Sequence, residues 1–247
     1  MTKSMETYIN YQIRQWEQNK NNLTKDDKGL SINEEKSNPF VIISREYGCG
    51  GFDIASIIIH LLNIKYKIEP IWSACDKEII KKLSEDMGFN SKLANTLTNS
   101  ARNQITNMLN TTFSNFPPQV TVYKKMAEII RTFATNGNVI IVGRGGNVIT
   151  KDMKNGLRIR IIAPLDWRIK NLSESTNIST KKAKKIIENK TIRRDSFFKE
   201  FTKINIDNLN HYHLVINNSI TNMEEAASLI IEVMKIKGLL TNKFINC

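Results

Sequence analysis

The sequence predicts an α/β fold, a parallel sheet with helices on both faces. Three observations carry this. Apolar β-branched runs of strand length recur at Phe40–Ile43, Val139–Val142, Leu157–Ala163 and Tyr212–Ile216, separated by stretches of helical periodicity. Two glycine clusters, Gly48 to Gly51 and Gly143 to Gly146, directly follow strands. The segment after the first cluster, Ile54 to Leu62, is apolar nearly all round, as a helix buried against a sheet would be.

The chain has 247 residues, enough for one domain with appendages or at most two. Its formal net charge is +12. Residues 1–38 hold six basic and six acidic residues, so the whole excess lies after Pro39. A polyphosphate or nucleic-acid partner fits that balance, as does plain solubility. Cys49, Cys75 and Cys247 are far apart in sequence, which suggests neither a metal knuckle nor a disulfide framework. With no signal-peptide core and no apolar run of membrane length, a reduced cytoplasmic setting is expected.

Taken in order, Ser4 to Gln18 carries Tyr8, Ile9, Tyr11, Ile13 and Trp16 at loosely helical spacing. A short amphipathic helix, loosely packed on the body, is expected. Asn19 to Asn38 is polar and reads as a linker, giving 1–38 as a leader, 39–240 as the main domain and 241–247 as a tail. Phe40 to Ile43 is a buried strand. Gly48-Cys49-Gly50-Gly51 then turns the chain into a helix near Phe52, and strand, glycine turn, helix is the arrangement that aims amide groups at a phosphate. Ile68 to Cys75 is a possible second strand, weakened by Pro70. Asp76 can cap the helix that runs through Asp86.

Ser91 to Asn115 is helical by period until Pro117-Pro118, and Val120 to Ala134 is a clear amphipathic helix ended by Gly137. Asn138 to Val142 is the strongest buried strand. Leu157 to Ala163 alternates apolar residues with Arg158 and Arg160, as a half-covered or edge-side strand does. Pro164 opens a helix through Leu172. Ser179 to Lys203 is a long basic helix or helix pair. From Arg168 to Lys203 there are eleven basic residues against four acidic ones. After the last strand, Thr221 and Glu224 form a capping box for a helix to about Lys235. In a parallel sheet both glycine clusters fall at the carboxyl edge, where ligands bind.

Ser44-Arg45-Glu46-Tyr47-Gly48-Cys49-Gly50-Gly51 with its Ile-Ala helix resembles the opening of the cytidylate kinase-like family, within the P-loop nucleoside monophosphate kinases. Val139 to Asn147 resembles that family's second signature. Ile161 to Arg168 resembles the strand and helix start before its lid, Arg194 with Phe197-Phe198 its lid segment, and Leu214 to Ser219 its last strand and loop. The likeness runs in order from about Pro39 to Lys235. It implies a P-loop nucleoside kinase fold with a helical lid at about 168–203. The implied activity is transfer of the γ-phosphate of ATP, with Mg²⁺, to a nucleoside monophosphate such as CMP or dCMP.

By the same resemblance, Ser44, Gly48, Cys49, Gly50, Gly51, Phe52 and Asp53 would hold the donor, and Asp53 the metal. Gly51 stands where the general pattern has a lysine, and Arg45 is the nearest replacement, or else an ion-pair partner of Glu46 or Asp53. Arg144 would bind the acceptor phosphate, with Arg193. Asp76 contacts the acceptor or simply caps its helix. Arg168 and Arg194 would serve as lid cations at the transferring group. Phe52, where the family often has a basic residue, keeps open a second reading: a nucleotide-binding relative with weak or no transfer and a regulatory role. Cys49, at a helix N-terminus, is expected to have a lowered thiol pKa and to be sensitive to thiol reagents. No aromatic ladder accompanies the basic helix, which argues against nucleic acid. The oligomeric state is open.

Overall fold

The structure, a computed structural model, describes residues 2–26, 38–85, 87–113, 121–201 and 205–240. The helix-breaking Pro117-Pro118, the tail from residue 241 and most of the expected linker lie outside these residues. The order of elements is α1 (Thr2–Asp26), β1 (Phe40–Arg45), α2 (Gly51–His60), β2 (Ser73–Cys75), α3 (Lys77–Glu85), α4 (Met87–Asn95), α5 (Asn99–Phe113), α6 (Thr121–Asn136), β3 (Val139–Val142), α7 (Gly146–Ile149), β4 (Gly156–Ile162), α8 (Leu165–Thr176), α9 (Thr180–Phe201), β5 (Leu214–Asn217) and α10 (Met223–Ile236).

All strand pairs are parallel, in the order β2-β3-β1-β4-β5. Phe40 to Ile43 and Val139 to Val142 are fully buried at the centre, which is why both read as unbroken apolar runs. Helices α2 and α10 pack together on the sheet, and α6 and α7 pack on β3 and β1. The register sets Ile43 beside Val142, so the chain leaves β1 and β3 side by side. The two glycine loops are therefore neighbours at the carboxyl edge.

Four expectations change. First, α1 is longer than the spacing suggested and is part of the core: it runs to Asp26, into the expected linker, and Ile9, Ile13 and Trp16 are buried. The Trp16 ring lies 5.7 Å from that of Phe133. The Gln12 amide, also buried, donates to Ile71 O at 3.0 Å and Asn138 O at 2.6 Å and accepts from Ser73 Oγ. Second, only Ser73–Cys75 of the expected second strand pairs, and Pro70 stays outside it.

Third, β4 lies inside the sheet, not half-covered at an edge. Arg160 is 2% exposed and donates to Asp207 Oδ1 at 2.7 Å and Ser44 Oγ at 2.9 Å. Arg158 donates to the carbonyls of Thr150, Lys151 and Met153. The basic positions of the alternation are bonded, not solvated. Fourth, the capping box sits one residue on: Asn222 Oδ1 accepts from Glu225 N at 2.8 Å and Glu225 Oε2 from Asn222 N at 3.0 Å. Both Thr221-x-x-Glu224 and Asn222-x-x-Glu225 fit the capping pattern. The observed frame turns Ala226, Ala227, Ile230, Ile231 and Met234 into the core.

Candidate functional site

A cavity of about 530 Å³ opens at the carboxyl edge of the sheet. Arg45 and Ser44 from the end of β1, Gly143 to Asn147 after β3, Asp76 after β2, Tyr123 on α6, and Lys190, Arg193 and Arg194 on α9 line it. Three strands, β1, β2 and β3, contribute because parallel pairing brings their carboxyl ends to one side.

The chain after β3 is unusual at this point. Gly143, Arg144 and Gly145 have φ of 78°, 54° and 71°, three left-handed residues in succession. A left-handed conformation costs a residue with a β-carbon roughly 1–2 kcal/mol. The flanking glycines take it freely, so the strain concentrates on Arg144, whose side chain reaches the cavity.

The arginines divide by partner. Arg131 is held by Asp152 at 2.8 and 3.0 Å, and Arg158 and Arg160 are bonded as above. Arg194 lines the cavity and shares its charge with Asp195 at 2.8 Å. Arg168 donates from Nε to Ala163 O at 2.9 Å and from Nη1 to Tyr47 O at 3.3 Å, and lies 3.6 Å from Glu46. It does not line the cavity, contrary to its expected place as a lid cation at the reaction centre. Arg45 and Arg144 are different: neither makes a hydrogen bond or ion pair with a described residue, and the buried Arg144 Nε has no partner. Burial pulls the Arg45 guanidinium below its ordinary pKa, Asp76 opposes this, and Arg144 and Arg194 add to it. Burial lowers Arg144 likewise, against Tyr123, Glu78 and Asp76. Two desolvated cations face one cavity, where Asp76 and Glu78 act on them through space without forming an ion pair, and that arrangement favours an added anion.

Asp76 does cap α3, accepting from Glu78 N at 3.0 Å and Ile79 N at 3.1 Å, while also lining the cavity. Asp76 thus caps its helix and stands at the cavity at once.

The first glycine loop stands beside the cavity, not in its wall. Three side chains hold its successive carbonyls: Arg168 on Tyr47 O, Asn171 on Gly48 O at 2.7 Å and Asn218 on Cys49 O at 3.0 Å. With the carbonyls taken, the peptide planes are fixed. The amides of Gly51 and Phe52 open α2 and find no acceptor among the described residues. Asn171 belongs to no sequence motif, and Asn218 stands out in the sequence only as part of the last strand and its loop; the contact each makes with the glycine loop spans more than a hundred residues. Cys49 N donates to Glu46 O at 3.4 Å, and its thiol is buried. Burial pushes that thiol up to about 12, the reverse of the expected lowering, since desolvation outweighs the helix terminus. Alkylation of the folded protein at pH 8 should therefore spare Cys49 and the equally buried Cys75, as peptide mapping would show, and reach both once the chain is denatured.

Phe52 is half-buried and packs on the core. Asp53 is exposed, and its carboxylate sits on its own amide while desolvation raises its pKa. Among the described residues no group of three or more His, Cys, Asp or Glu gathers as a metal site. A Mg²⁺ that arrives with a nucleotide asks the protein for only one or two oxygens, which Asp53 can give. Among the described residues no helix is long and apolar enough to cross a membrane.

The model of a family described as cytidylate kinase-like matches residues 40–220. Among solved structures, an uncharacterised protein from Eubacterium ventriosum superposes with a TM-score of 0.59 at 20% identity, over 80% of this chain and 98% of that one. A shikimate kinase from Acinetobacter baumannii superposes with a TM-score of 0.43 at 9% identity, over 82% and 96%. One from Bacteroides thetaiotaomicron gives 0.43 at 11%, over 80% and 98%. No curated protein matches the sequence.

Proposed function

Since the chain belongs to the cytidylate kinase-like family, we propose that it transfers the γ-phosphoryl group of ATP to a nucleoside monophosphate, with CMP or dCMP as acceptor. The observation that carries this is the pair of desolvated guanidiniums, Arg45 and Arg144, facing one cavity that the second glycine loop walls. In the reaction an oxygen of the acceptor phosphate bonds to the γ-phosphorus as the bond from that phosphorus to the β,γ-bridging oxygen breaks, leaving ADP and a nucleoside diphosphate. The charge that passes through the transition state is spread over the transferring oxygens, so the protein's work is positioning and neutralisation.

Each residue has a part. The amides of Gly51 and Phe52, with those of Gly48 and Gly50, cradle the donor's phosphates, and Ser44 lies at the strand end beneath them. Cys49 serves the cradle through its carbonyl, held by Asn218. Arg45 reaches the phosphate that moves. Arg144 forks onto the acceptor phosphate, with Arg193 and Arg194 approaching from α9, and Asp76 faces the rest of the acceptor. Arg168 acts through the loop it holds. Mg²⁺, held in part by Asp53, would neutralise charge on the donor's phosphates. The packing of Phe52 into the core favours the second reading, a nucleotide-binding relative with weak transfer and a regulatory role, because it leaves no basic side chain at that position.

An ADP-release assay with Mg²⁺ and ATP over a panel of nucleoside monophosphates tests the proposal. Turnover is expected, highest with CMP or dCMP. Absence of turnover with every monophosphate at high enzyme concentration would overturn it. If the protein then binds ATP and Phe52→Arg alone turns over, the second reading holds.

A further inference from the structure

Arg45 lies across both glycine loops, and the glycines it crosses are the ones whose missing side chains make room for it. A β-carbon at Gly51 would stand 3.1 Å from Arg45 Cγ and 3.3 Å from Cδ. One at Gly143 would fall 2.2 Å from Arg45 Nη1 and 2.8 Å from Cζ. The stem therefore rests on the first loop and the guanidinium on the second. Gly51 opens α2 without a left-handed φ, so contact with Arg45, and not backbone strain, is what crowds a side chain there.

In the pattern G-x-x-x-x-G-K-[ST], Arg45 occupies the position of the first glycine and Gly51 that of the lysine. We propose that the two are a reciprocal exchange: the cation that reaches the donor's phosphates has moved from the start of the helix to the end of the strand, into a seat made by Gly51 and Gly143. This rests on the phosphate-site reading above, which already gives Arg45 the lysine's part, and adds where that side chain is seated and why both glycines matter to it. The exchange changes the chemistry as well as the place. A planar fork replaces a flexible point charge. Its head lies beside Gly143, one residue from Arg144, so donor and acceptor phosphates meet adjacent guanidiniums on one rigid support.

The test is a double-mutant cycle on the full chain with Arg45→Gly, Gly51→Lys and the two combined. It is read by titration calorimetry with ATP and Mg²⁺ and, without nucleotide, by the unfolding midpoint. Arg45→Gly should weaken ATP binding at least 10-fold. Gly51→Lys alone should lower the midpoint and gain no affinity, because both side chains compete for one space. The combined variant should recover most of the midpoint and much of the affinity. Gly51→Ala, which adds only the β-carbon, supplies the same cycle should Gly51→Lys not fold. If the substitution at 51 has the same effect whether residue 45 is arginine or glycine, in a protein that binds ATP, the exchange is wrong while the phosphate site stands. If the unmodified protein binds no ATP, both fall.

Discussion

Replacing Arg144 by glycine should lower kcat/KM for the acceptor about 10²- to 10³-fold, the loss of one or two charge-assisted hydrogen bonds, and leave the stability of the fold within about 1 kcal/mol. The two readouts separate because the residue's cost and its use lie on different atoms. Its backbone, at φ 54°, is strained for any residue with a β-carbon, and glycine removes that strain. Glycine's extra freedom in the unfolded chain offsets most of the gain. The guanidinium bonds to no described residue, so its removal orphans nothing inside the protein. Steady-state kinetics should show the acceptor's KM rising with little change for ATP, and urea denaturation should show an almost unmoved midpoint. Unchanged kcat/KM would remove Arg144 from the acceptor site. A loss of several kcal/mol of stability would make it a structural residue instead.

The second large effect lies far from the cavity. Trp16→Ala should destabilise the protein by about 3–5 kcal/mol, the usual cost of emptying a large aromatic site. Trp16 is buried against Phe133 of α6, so the hole would open inside the core that supports β3. Gln12→Leu should cost about 1–3 kcal/mol, because Ile71 O would lose the amide donor, Ser73 Oγ its acceptor, and Asn138 O one of its two donors. Urea denaturation measures both. A change under 1 kcal/mol for Trp16→Ala would mean that α1 sits outside the cooperative unit, as a loosely packed leader would. The expected loss also bears on the site. Asn138 immediately precedes β3, and β3 carries Arg144 at its far end, so slack at α1 should also reduce turnover.

Much was legible in the chain itself. The buried strands Phe40 to Ile43 and Val139 to Val142 announce themselves by β-branched runs, and the glycines after them mark the turns. Since both strands are parallel, the turns had to share an edge, and Arg144 between its glycines was a site candidate there through the family resemblance. These features are local: a strand, a turn or an αL position is written in a few consecutive residues.

Partnership, by contrast, is set by contacts across the fold. Arg45, Arg144, Arg158, Arg160, Arg168 and Arg194 are the same residue type, and nothing nearby in the chain fixes the partner of any of them. Asp207 takes Arg160, the turn carbonyls take Arg158, the first loop takes Arg168, and Arg45 and Arg144 alone of the six are left facing the cavity without a described partner. The same holds for α1, whose spacing marks a helix but not the depth at which Trp16 and Gln12 dock. It holds for Cys49 too, where a helix N-terminus argues for a lowered pKa and burial raises it instead. The physical reason is common to all three. Periodicity fixes which way a side chain points on its own element, whereas its partner, its burial and therefore its charge depend on which distant strand or helix comes to lie beside it.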